Sequence, residues 1–225
     1  PDDTPVSEML DLARWYQSKG RTQDAISTIT AAAERSNSLS DERFQCELEL
    51  ARVMKAAKLP EAELWWKKAE SSAIGRDKDA SEAVPGIYIS AVSLMVMDLV
   101  KEDRVDEASA LLDRMNPELT MNRAQCLSAI IQHLSRSDLP RSLALMKDMP
   151  PGALCYSTVA RVAPELAKTD LNAALALIAP LPAEQRIDAA IRISDAVGPE
   201  HLIRIFATVA SEPPKDKFAR DKLAG

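Results

Sequence analysis

The chain has 225 residues, of which 46% are hydrophobic and 28% charged, and it carries a formal net charge of −6. That length is enough to bury a sizeable core or one continuous extended core, and the balance belongs to an ordered chain rather than a disordered one. The acidic surplus disfavours binding to a phosphate backbone, which needs clustered Lys and Arg, and no apolar run reaches the roughly 18–20 residues of a membrane span.

Helical periodicity predicts every element, and no segment shows sustained two-residue alternation. The first helix is expected over 6–18, with Met9, Leu12, Ala13 and Tyr16 on one apolar face and Ser7 as N-cap. Gly20 then ends it in a left-handed turn. The second helix, about 22–35, is capped by Thr22 or its neighbour and buries Ala25, Ile26, Ile29 and Ala33. A third, about 40–57, starts after Ser40 and turns Phe44, Leu48 and Ala51 inward. A fourth, about 60–73, begins at Pro60 and carries Leu64, Trp65, Trp66 and Ala69. A polar insertion is expected over 74–85.

Shorter pairs follow at about 86–101 with 104–115, 117–136 with 138–148, 152–168 with 170–179, and 182–197 with 199–210. Asp103, Asp138 and Asp170 stand where a short polar side chain caps the second helix of a pair. Pro164 falls inside a helical run and predicts a kink or break. The segment 92–100 is apolar nearly all round, as a covered helix or an oligomer face would be. Residues 1–210 read as one domain, and 211–225 as a tail or capping helix.

Within this series one pattern recurs. Ala25, Ala62, Ala108, Ser142 and Ala174 occupy matching places, at steps of 37, 46, 34 and 32 residues, roughly the period of helix-pair repeats. Leu12, Ala13, Tyr16, Gly20, Ala25, Ile29 and Ala32, then Leu50, Ala51, Ala62, Trp66 and Ala69, resemble the tetratricopeptide repeat family. The match loosens downstream to Ala108, Leu112 and Met115, then Ser142, then Ala174 and Ile178. The resemblance implies an all-α, right-handed α-solenoid of five to six antiparallel helix pairs. A small anchor lets two helices cross closely, and a larger side chain there costs about 1–3 kcal/mol.

No nucleophile elbow, phosphate loop or zinc-binding helix is present, and His133 and His201 stand alone, so no catalytic residue, metal or cofactor is expected. Cys46, Cys126 and Cys155 lie among apolar neighbours and read as buried thiols. They point to a reducing compartment such as the cytoplasm, while a Cys126–Cys155 pairing stays open. The chain begins at Pro1 without Met, so compartment and completeness also stay open. Function is therefore expected to be non-catalytic binding of a protein or peptide partner. In the resembled family the concave groove is lined by the first helix of each pair. Carried over, this places Arg14 and Arg52, each following a small Ala, in that groove, with Gln17, Leu48 and Lys55 nearby. Two stacked Arg suit a carboxylate or an acidic peptide. The Asn residues that grip a peptide backbone in the chaperone-tail-binding branch are missing. Adjacent Trp65 and Trp66 cannot share one face, so if Trp66 fills the core Trp65 either packs against the neighbouring pair or the 74–85 insertion, or is a contact candidate. The alternative is a self-associating structural module without a peptide ligand.

Overall fold

A computed structural model describes residues 4–37, 40–78 and 90–210. Among these residues the chain is all-α. Its helices are α1 (Val6–Ser18), α2 (Thr22–Arg35), α3 (Asp41–Ala56), α4 (Ala62–Asp77), α5 (Ala91–Lys101) and α6 (Val105–Asp113). They continue as α7 (Thr120–Ser137), α8 (Leu139–Met146), α9 (Ala153–Ala167), α10 (Leu171–Ile178), α11 (Ala183–Val197) and α12 (Leu202–Ala210), with a 3₁₀ turn at Pro199–His201 before the last. No helix among the described residues is long and apolar enough to cross a membrane. The chain divides into two compact units, Pro1–Met95 with Asp113–Leu119 and Val96–Leu112 with Thr120–Gly225.

In the first unit α1 packs on α2, α2 on α3, and α3 on α4, with α1 also touching α3. Leu10, Ala13, Ala25, Ile29, Leu50 and Val53 form the centre of the core. Helix α3 buries Phe44, Cys46, Leu48, Leu50, Ala51 and Val53, more than one face of a helix can supply, because neighbours cover it on several sides. In the second unit α7 packs on α8 and α9, α9 on α10 and α11, and α11 on α12. Each longer helix thus meets its own partner and the next longer helix. Ile131, Val159, Val162, Ile178, Ile193 and Ile205 are the centre of that core.

Two kinds of turn join the pairs. Helices α1, α3 and α5 end with a residue at positive φ: Gly20 at 71°, Lys58 at 57° and Asp103 at 62°. The amide after each reaches back five residues, Arg21 to Tyr16, Leu59 to Met54 and Arg104 to Leu99, all at 2.9 Å. This closure satisfies carbonyls that the helix end leaves without partners. An L side chain in that conformation costs about 1–2 kcal/mol, which glycine avoids. Lys58→Gly is therefore expected to raise stability by about 1 kcal/mol, or ~2–4 °C in a thermal melt followed by circular dichroism. In the second kind, Asp138 and Asp170 cap α8 and α10 by accepting from the Arg141 amide at 3.2 Å and the Ala173 amide at 2.9 Å.

Several expectations are corrected in detail. Ser40 does cap α3, accepting from the Arg43 amide at 3.2 Å. Ser7 does not cap α1, which starts after Pro5, and at α2 the cap position falls to Thr22's neighbour Arg21, with no side-chain cap bond. Asp103 is no cap either, since its left-handed backbone sends the carboxylate to His133. Pro164 does not break α9, which runs through it. Leu12 is exposed rather than part of the inner face, and α4 starts two residues after Pro60. Residues 74–77 are helical, not part of a loop. The rest of the expected insertion, from 79 on, and the tail 211–225 lie outside the described residues.

The anchors Ala25, Ala108, Ser142 and Ala174 are fully buried, while Ala62 is only half-buried at the first position of α4. Ser142 replaces alanine without cost because its hydroxyl donates to the Ile131 carbonyl at 2.9 Å.

Candidate binding surface on the first helices

Arg14 on α1 and Arg52 on α3 come together on one carboxylate. Glu49 Oε1 accepts from Arg14 Nη2 at 3.1 Å and from Arg52 Nη1 at 3.4 Å. Glu49 lies one helical turn before Arg52, so α3 supplies both a cation and the anion that orients it. Arg14 is held a second time by Asp11 at 3.0 Å, one turn earlier on its own helix. The Glu49 hydrogen bond, ahead of a small opposing effect of burial, keeps the Arg14 guanidinium still more firmly protonated. The Arg14 and Arg52 side chains remain 55% and 39% exposed, whereas Glu49 is only 16% exposed. The orienting carboxylate therefore sits below the two cations. A guanidinium fork has five N–H donors, and Arg14 spends one on each carboxylate. Such a preset pair loses little rotamer freedom when it meets a second carboxylate.

The other expected residues fall on both sides of the line. Gln17 and Lys55 are exposed on the same two helices. Leu48 is 2% exposed and belongs to the interior, so it cannot touch a partner. Trp65 is half-buried against the first core, with the Lys68 ammonium 3.9 Å above its ring. Trp66 is buried, as adjacency required. On α1 an aromatic is exposed, Trp15, next to Arg14, with 49% of its surface open. It meets the Tyr16 ring edge-on at 5.3 Å, and the Arg21 guanidinium lies 4.5 Å from the centroid of the Tyr16 ring. Leu12, three residues before Trp15, is also exposed. The sequence carries the signal for this aromatic, since Asp11, Arg14, Trp15 and Ser18 follow i, i+3, i+4, i+7 and make one outward stripe.

In the second unit the polar groups on the longer helices bind one another. Ser128 and Thr158 hydroxyls meet at 2.6 Å, Gln132 Nε2 donates to Ser128 Oγ at 2.8 Å, and Arg161 Nη1 donates to Gln132 Oε1 at 2.9 Å. This line ties α7 to α9 and specifies their register. His133 Nε2 is likewise engaged, 2.7 Å from Asp103 Oδ1.

All three cysteines are buried and none forms a disulfide, so no bond joins Cys126 to Cys155. Burial pushes the Cys46 thiol up to about 11 and raises that of Cys155, which disfavours the reactive thiolate. No cluster of three metal-ligating side chains occurs among the described residues. Comparison with family models, with curated proteins and with solved structures finds no match for this chain.

Proposed function

We propose that the protein is a non-catalytic interaction module built of tetratricopeptide-like helix pairs. It takes an acidic peptide or partner helix on the surface of α1 and α3. The single observation that carries this reading is the convergence of Arg14 and Arg52 on Glu49, with both cations left facing outward. The partner's carboxylate would take forked hydrogen bonds from the guanidinium pair, and Trp15 with Leu12 would cover an adjoining apolar side chain. Gln17 and Lys55 are the next contacts. Hydrogen bonds to charged groups are worth about 1.5–3 kcal/mol each. Arg14→Glu/Arg52→Glu is therefore expected to weaken capture of the partner from source lysate by at least about tenfold, with the helical circular dichroism spectrum retained. Equal recovery by wild type and a folded double variant would sink the assignment.

A second reading, self-association, is weakened at its first candidate surface. Ala91, Val92, Met95 and Val96 of α5 are fully buried, so most of the apolar stretch 92–100 is spent inside the fold. That reading keeps Leu94, which is 37% exposed, and the exposed apolar residues of α12.

A further inference from the structure

Helix α12 is apolar on two sides. Ile205 and Val209 face the second core. Ile203, Phe206, Ala207 and Ala210 follow i, i+3, i+4, i+7 and form a second stripe, with Ile203 90% and Phe206 57% exposed. Arg204 and Thr208 are the polar residues of this nine-residue helix. A helix apolar nearly all round needs cover on both sides, and the last pair of a repeat array needs a polar outer face. We propose that the outer stripe of α12 is covered by the chain's own segment 211–225, docked through Phe218 and Leu223.

Three observations favour this occupant. The segment starts at the residue after Ala210, and 15 residues at up to about 3.4 Å each far exceed the ~14 Å length of α12. In the sequence Pro213 and Pro214 follow within four residues of Ala210, and proline is common just past a helix end because it cannot continue the helix. The charges are complementary. The segment 211–225 holds Lys215, Lys217, Arg220 and Lys222 against Glu212, Asp216 and Asp221, a surplus of one positive charge. The exposed surface of the last pair holds Glu184, Asp188, Asp195 and Glu200 against Arg192 and Arg204. Phe218 and Leu223 are the large apolar residues of the segment, and the stripe offers Ile203 and Phe206 to receive them.

Hydrogen–deuterium exchange on the full chain tests this. Amides 216–224 are expected to exchange at least tenfold more slowly than in a synthetic peptide of residues 211–225. That protection should vanish in Phe206→Asp, and equally in Phe218→Asp, which leaves α12 untouched should the first variant misfold. Exchange as fast as in the free peptide would overturn the proposal, as would protection that survives both substitutions. A dimer by light scattering that Phe206→Asp converts to monomer would assign the stripe to a second copy instead, and would also overturn it. Neither arm depends on Arg14 or Arg52.

Discussion

Asp77→Ala is expected to lower stability by about 3 kcal/mol, seen as a fall in melting temperature of ~6–12 °C. Asp77 is 1% exposed at the last position of α4, and its carboxylate serves the start of α5. It accepts from the Ala91 amide at 3.1 Å, from the Val92 amide at 3.0 Å and from the Ser90 hydroxyl. Ser90 Oγ in turn accepts from the Ser93 amide at 3.1 Å. Amides in the first turn of a helix have no partner within it, and a negative charge there also complements the helix dipole. The same contact pins Asp77 to Ser90 across the chain between them. Alanine would strand buried donors at each of those bonds, while Asp77→Asn keeps one acceptor oxygen and should lose clearly less. Asn116 Nδ2 holds the other side of this corner, donating to the Asp77 and Lys78 carbonyls at 3.1 Å each. A melting temperature unchanged in Asp77→Ala would show that the cap contributes little.

Glu47→Ala should be the next most damaging change, by about 2–3 kcal/mol, measured by urea unfolding. Glu47 is buried on α3, where it accepts from Arg43 Nε at 2.7 Å and from Ser72 Oγ of α4 at 2.6 Å. Arg43 Nη1 extends the line by donating to the Ala33 carbonyl of α2 at 2.6 Å. Three helices thus share one ionic chain. A buried ion pair adds little over a well-packed apolar pair, but removing one partner leaves the other charge short of its counterion. Glu47→Gln keeps the acceptor and the shape and should cost roughly half as much. If alanine and glutamine prove equally mild, the chain is solvated in solution and contributes no such constraint.

Both sites were illegible in the sequence for the same physical reason. Glu47 stands between Cys46 and Leu48, where nothing in the sequence tells it from an exposed carboxylate such as Glu42, and its burial follows from cover on several sides of α3. Asp77 sits in a polar stretch that reads as a loop, yet Arg76, bonded to Asp41 at 2.5 Å, and the buried Asp77 both belong to the end of α4. The helices themselves were plain. The expected bounds of α1 and α2 are those observed, because Gly20 and the apolar period mark them without ambiguity. The left-handed turns at Lys58 and Asp103 repeat the one at Gly20, but neither residue announces that conformation, so only the first turn was readable. At the candidate surface the sequence placed Arg14 and Arg52 by their position after a small alanine. It could not show that Glu49 lies between them, because that contact spans 35 residues and two helices. Leu48 lies on the inner face, where the apolar period put it, rather than in the groove to which the family resemblance carried it, and Trp65 packs half-buried beside the first core.

Selection of a random displayed-peptide library on the intact protein tests the central claim most directly. The wild type should enrich peptides carrying Asp or Glu beside an apolar residue, with binding that weakens as salt rises, and Arg14→Glu/Arg52→Glu should lose that enrichment at least tenfold while keeping its helical spectrum. Acidic peptides enriched equally on both proteins, or enrichment with no preference for carboxylates, would contradict the assignment of binding to the Arg14–Glu49–Arg52 surface.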